Sequence, residues 1–146
     1  MRKAITTAIL FLLIAVGATM SFSNRSVVVF PNGMKIEVEI ADTTLQRERG
    51  LSGRERLDEN NGMLFLHGDE EIRYYWMKGM KIPIDIIWIR GSEVTGFHER
   101  AQVDDPPYEL FSSGVPVDKV LEVSEGFVER NNIKRGDLLD IRISAR

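Results

Sequence analysis

A strict two-residue period restricts this chain more than any other feature. Met34, Ile36, Val38 and Ile40 alternate with Lys35, Glu37 and Glu39, and only a half-buried β-strand gathers such a series on one face. The preceding Pro31-Asn32-Gly33 is turn chemistry, because proline presets one dihedral and Asn-Gly tolerates positive φ. Val27-Val28-Val29-Phe30 before it reads as a buried strand. The three pieces together predict a β-hairpin.

The same grammar recurs downstream. Asp42 or Thr43 caps a predicted helix from Thr44 to Arg49, closed by Gly50, or by Gly53 if the helix runs on. Leu57 to Gly62 is polar, and Met63 to Leu66 is a short apolar strand. His67 to Glu71 reads as a polar connection, and Arg73 to Met77 as an aromatic strand. Ile84 to Ile89 and Glu93 to Glu99 pair across an Arg90-Gly91-Ser92 turn. Ala101 to Pro116, with three prolines, is an irregular loop. Val117 to Val123 is a strand, and Ser124 caps a short helix running to about Asn131. Leu139, Ile141 and Ile143 alternate in a last strand. Seven or eight short strands and two short helices make the fold class α+β and strand-rich. The expected form is a compact, mostly antiparallel sheet curling into a partly closed barrel.

Residues 1–23 have a different character. Arg2 and Lys3 precede the uncharged, largely apolar stretch Ala4–Ala18, and Thr19 to Ser23 is mostly small and polar. That order is the secretory-signal pattern. As a helix the apolar stretch would span roughly 22 Å, short of the roughly 30 Å of a bilayer core. Extension through Phe22 brings it near spanning length, so residues 1–23 are expected to be a signal peptide or an N-terminal membrane anchor. Residues 24–146 are then a single extracytoplasmic domain, periplasmic, secreted or anchored facing outward, that touches the membrane only through residues 1–23. A buried core helix is disfavoured, because the stretch has neither a polar face nor a cap.

Composition excludes several functions. The chain has no cysteine, so disulfides, thiolate metal sites and a cysteine nucleophile are out. Its formal charge is −3, and −5 once Arg2 and Lys3 are gone, which argues against a nucleic-acid partner. His67 and His98 are the only histidines and lack metal-ligand spacing, so no metal and no cofactor is expected. No catalytic motif is present, and no catalytic residue is assigned.

Arg49-Gly50-Leu51-x-Gly53-Arg54, Gly62-Met63-Leu64-Phe65, Trp76-Met77-Lys78, Ile82-Pro83-Ile84-Asp85, Val120-Leu121-Glu122, Gly126 and Gly136-Asp137 follow one another in order. In these blocks the chain resembles the uncharacterised prokaryotic family known as domain of unknown function 192. The resemblance covers nearly everything after Val27. It implies export for many members and no activity. The family pattern usually has Asn where this chain has Gly79, and often Met where it has Ser52.

Trp76, Lys78 and Asp85 form the sharpest candidate constellation. An indole face beside an ammonium and a carboxyl suits a sugar or small polar ligand, and Arg49 and Arg54 add guanidinium groups that grip anions. Each has a plainer account. Cations favour a helix C-terminus, and Asp85 could bond the backbone of Lys78–Lys81 or pair with Arg49 or Arg54. Glu122 alternates with Leu121 and Val123, as a solvent-facing strand position would. The favoured function is a non-enzymatic domain binding a small molecule or a cell-envelope component. The alternatives are a carboxylate-based envelope hydrolase using Asp85 or Glu99, and a purely structural accessory domain.

Overall fold

The computed structural model describes residues 25–145; the signal-peptide or anchor expectation for residues 1–23 lies outside them. The predicted hairpin forms as β1 (Ser26–Val29) and β2 (Lys35–Ala41), with Gly33 at φ +84° in the turn. Then come α1 (Thr44–Arg49), β3 (Asn61–Glu71), β4 (Tyr74–Tyr75), β5 (Ile84–Arg90) and β6 (Glu93–Ala101). The chain finishes with β7 (Phe111–Ser112), β8 (Val117–Ser124), α2 (Phe127–Arg130) and β9 (Asp140–Arg142).

Seven strands make one curled sheet in the order β6-β5-β8-β3-β2-β1-β9, and β4 pairs with β7 apart from it. Every neighbouring pair is antiparallel except β2–β3. A parallel pair needs a crossover, and α1 with the chain after it supplies that crossover. The two outermost strands meet at one end. Glu93 bridges Leu138, the Val94 amide donates to the Asp137 carbonyl at 2.9 Å, and the Leu139 amide donates to the Ser92 carbonyl at 2.8 Å. These bonds close the curl on one side, giving the partly closed barrel that the strand pattern predicts.

The sheet buries both of its faces. Inside the curl, Val28, Ile36, Leu64, Ile87, Ile89, Leu121 and Val123 pack together, and Phe127 and Val128 of α2 plug the end. On the outer face, Met63, Phe65, Ile84, Ile86, Trp88 and Val120 are covered by Leu51, Met77, Met80 and Phe111. Strand β5 is therefore buried at six consecutive positions, as expected of a strand with apolar layers on both sides.

Four local expectations are corrected. His67–Glu71 continues β3 instead of leaving the sheet, because the segment stays paired to β8 as far as Glu71↔Val117. The aromatic strand shortens to Tyr74–Tyr75, since only these two residues find a partner strand, Phe111–Ser112. Ser124 ends β8, and α2 begins after Gly126, which makes no side-chain cap.

The fourth correction concerns Asp85. It is fully buried and pairs with neither arginine. Its Oδ1 accepts from the Arg100 amide at 2.8 Å and the Gly126 amide at 3.1 Å, and its Oδ2 accepts from the Val128 amide at 2.9 Å. The carboxyl thus caps α2 from another strand. It also holds the Arg100 backbone, which sits at the left-handed φ of +54°. Asp85→Ala would leave three amides without their acceptor. A loss of about 3 kcal/mol or more is expected, read as a lower urea midpoint, while Asp85→Asn retains part of that stability. An unchanged midpoint in the alanine variant would show that these bonds contribute nothing net.

Candidate functional site

One cavity of about 250 Å³ lies on the outer face of the sheet. It sits between α1, the turn after it, the Tyr74–Lys78 segment and the middle of β3 and β8. Leu51, Phe65, Met80 and Glu122 form a buried floor. Tyr74 and Trp76, 62% and 51% exposed, stand at the rim. Of the five candidate residues, Arg49, Trp76 and Lys78 line this cavity, and Asp85 and Arg54 do not.

Glu122 was the residue misread from sequence. Strand β8 sets it beside Met63 of β3 and Ile86 of β5, so it shares the covered face with Val120 and is only 5% exposed. Its Oε2 is buried and accepts no hydrogen bond from the protein. Burial alone pushes its pKa up to about 8, because an apolar surround disfavours the charged form. The close packing of β3 on β8 here depends on Gly62. A Cβ at that position would stand 2.8 Å from the Glu122 carbonyl oxygen.

Beside Glu122, His67 Nε2 and the Tyr75 hydroxyl share a hydrogen bond of 3.1 Å. Desolvation, with Arg73 and Arg47 nearby, lowers the His67 pKa to about 4, so the imidazole is neutral near pH 7. Burial, reinforced by Glu122, raises that of Tyr75. The Tyr75 ring is fixed edge-on against Phe65 and Trp88, with centroids 5.2 and 5.6 Å away. The cavity therefore has a rigid aromatic wall and a floor carrying a carboxyl group that is protonated near neutral pH.

Helix α1 places the cations. Thr43 and Gln46 form a reciprocal capping box at its start. Arg47 donates to the Asp42 carbonyl at 2.6 Å and to the Leu66 carbonyl at 2.9 Å, pinning the helix to β3. At the other end the Ser52 hydroxyl donates to the Arg49 carbonyl at 2.5 Å, so that terminal carbonyl is already occupied. Lys78 Nζ lies 5.6 Å from the Trp76 ring centroid, within cation–π range. Behind this rim the two departures from the family pattern meet. A Cβ on Gly79 would stand 3.2 Å from the Ser52 Cβ, and Gly79 holds φ +73°, a conformation that asparagine also tolerates.

The other sequence candidates lie elsewhere. Arg54 forms a two-pronged pair with Glu39 at 2.5 and 2.7 Å, lowering the Glu39 pKa through those hydrogen bonds and tying the segment after α1 to β2. Asp85 faces the inner side of the sheet and Glu122 the outer, so the sheet separates these two buried carboxyls. Glu99 is exposed, and the His98 ring packs 4.2 Å from Phe111. Among the described residues no three His, Asp or Glu side chains are grouped to hold a metal ion.

Comparison with known proteins agrees with the fold. The profile of the domain of unknown function 192 family, described as "Uncharacterized ACR", matches residues 27–141. A protein from Sinorhizobium meliloti 1021, described as a "putative transcription regulator", has a similar crystal structure. It is 31% identical, with a TM-score of 0.73 over 80% of this chain and 92% of that one. A protein of unknown function from Novosphingobium aromaticivorans DSM 12444 is 28% identical, with a TM-score of 0.72 over 80% of this chain and 83% of that one. No curated protein matches the chain.

Glu122 and His67 act on stability with opposite signs. Between its ordinary 4.5 and about 8, Glu122 is protonated when folded and ionised when unfolded. Its contribution therefore falls as pH rises through that window and is level above it. His67, lowered from 6.5 to about 4, stays neutral when folded while the unfolded chain takes up a proton, so it lowers stability as pH falls through that window. Glu122→Gln should abolish the first slope and leave the second. Urea unfolding near pH 5 and near pH 8.5 should then show the variant gaining up to a few kcal/mol on the parent at the higher pH. Parallel curves would mean that Glu122 titrates as an ordinary solvated carboxylate.

Proposed function

The chain belongs to this family of uncharacterised conserved proteins, and we propose that it is a small-molecule-binding domain whose site is the cavity between α1 and β8. The observation that carries this is Glu122. A buried carboxyl without a protein partner costs stability, and here it forms the floor of a concave, aromatic-walled space. Ligand pockets have this make-up, with mostly apolar lining and a few placed polar groups. The cavity falls below the roughly 300–1,000 Å³ typical of drug-sized ligands, so the occupant is small. Trp76, Lys78 and Arg49 line the rim of the same space. Export is part of the proposal and rests on the charged, apolar, small order of residues 1–23.

Binding is favoured over catalysis because, of the two carboxylates the hydrolase reading would use, Asp85 is fully buried with both oxygens committed to backbone amides and Glu99 is exposed outside the cavity. The test is a thermal-shift screen of the protein against organic acids, sugars, amines and amino acids. A ligand present at about 100 times its Kd stabilises the native state by about 2.7 kcal/mol, a rise of several degrees in a domain of this size. The rise should vanish in Trp76→Ala, and binding should shield the exposed Trp76, not the buried Trp88, from acrylamide quenching. A shift that persists unchanged in Trp76→Ala would place the ligand elsewhere.

A further inference from the structure

We propose that the cavity takes a small organic acid, with its anionic head between Arg49 and Lys78, a flat apolar body against the aromatic wall and an uncharged hydroxyl reaching Glu122. The proposal rests on the cavity being a binding site and adds the class of ligand.

Three features lead to this class. The first is the balance of charge. Arg47, Arg49 and Lys78 all line the cavity, against Glu48 and a floor carboxyl that burial keeps protonated near neutral pH. The second is pairing. Nearby, Arg54 is matched by Glu39 and Lys81 by Glu55, whereas among the described residues Arg49 and Lys78 make no ion pair. Two cations that make no ion pair at the mouth of a concave space, Arg49 acting on Glu39 only through its longer-range charge, form a receptor for an anion. The indole of Trp76 steadies the Lys78 ammonium without cancelling its charge. Helix α1 does not oppose an anion with a bare carbonyl at Arg49, since Ser52 occupies that oxygen.

The third feature is the floor. Glu122 lies beneath side chains that are otherwise apolar or aromatic (Leu51, Phe65, Tyr75, Met80). A protonated carboxyl both donates and accepts, so it suits a neutral hydroxyl. A cationic amine at that depth would ionise Glu122 but would have to pass Arg49 and Lys78 at the rim.

The experiment compares three probes of the same shape, 4-hydroxybenzoate, 4-hydroxybenzyl alcohol and 4-hydroxybenzylamine, by titration calorimetry with the whole protein at low salt. The acid should bind, and the alcohol and amine should bind at least about tenfold more weakly, the worth of one charge-assisted hydrogen bond. Lys78→Met and Arg49→Met, which keep apolar stems at the rim, should each weaken the acid by about tenfold and leave the alcohol unchanged. Lys35→Met, on an exposed position of β2 away from the cavity, should change nothing. Alcohol or amine binding as tightly as the acid, sensitive to Trp76→Ala, would overturn the organic-acid assignment and keep the cavity as a site. If none of the three binds, the assignment fails. If in addition no compound in the wider screen responds to Trp76→Ala, the cavity reading fails with it.

Discussion

Three backbone amides, from Arg100, Gly126 and Val128, converge on the Asp85 carboxyl. They belong to the end of β6 and the start of α2, two regions separated in sequence, and Asp85 stands at the head of β5 between them. Helix α2 is a single turn, too short to persist unaided. It is held by this cap and by Phe127 and Val128 entering the inner core. With α2 in place the end of the curl is closed, and the Phe30 and Phe127 rings meet at 5.4 Å. Removing a buried acceptor that serves several donors costs each donor its only solvation, which makes this one side chain a junction for three elements.

The second constraint is that the central strands are buried on both sides. A sheet with one wet face would leave Glu122 in water, its ordinary place. Here the crossover through α1, the Tyr74–Met80 segment and β7 lay an additional apolar layer over the outer face, and Glu122 is trapped beneath it. The cavity exists because that covering layer does not fill the space above Glu122 completely. Among the described residues, the three groups that burial most strongly holds neutral, Glu122, His67 and Tyr75, cluster at this imperfect seam, where desolvation is strong and partners are few.

Much of the architecture was legible because it depends on local rules. The hairpin, the capped α1 and its Gly50 stop and the β5–β6 pair follow from period, turn residues and caps, and they stand where those signals place them; the alternating last strand forms but shortens to Asp140–Arg142, leaving Ile143 exposed beyond it. Arg49, Trp76 and Lys78 line one cavity. Asp85 did not join them, because strand parity tells which residues share a face but not which face meets which layer. Glu122 was misjudged for the same reason. The available signal was its neighbourhood. Val120, Leu121 and Val123 are apolar at both parities, the mark of a strand buried on two sides, and a glutamate inside such a run cannot be solvent-facing on either. The long extension of β3 through His67–Glu71 was hidden by its polar composition, since its pairing with β8 is a non-local contact.

The order of the sheet has a consequence for how the molecule comes into being. Strand β1 is hydrogen-bonded to β9, Val28 opposite Ile141, and the seam at Val94 is closed by residues 136–139. The pairings that complete the curl thus join segments from opposite ends of the domain, the slowest kind of contact to form. Any machine that delivers the polypeptide from its N-terminus releases β1 early and β9 last. Until β9 arrives, one side of β1 is an unpaired edge, the kind that recruits other chains. The period in which this protein is most open to aggregation therefore ends with the emergence of its last strand, and the interval is set by delivery time more than by the strength of any contact in the finished fold.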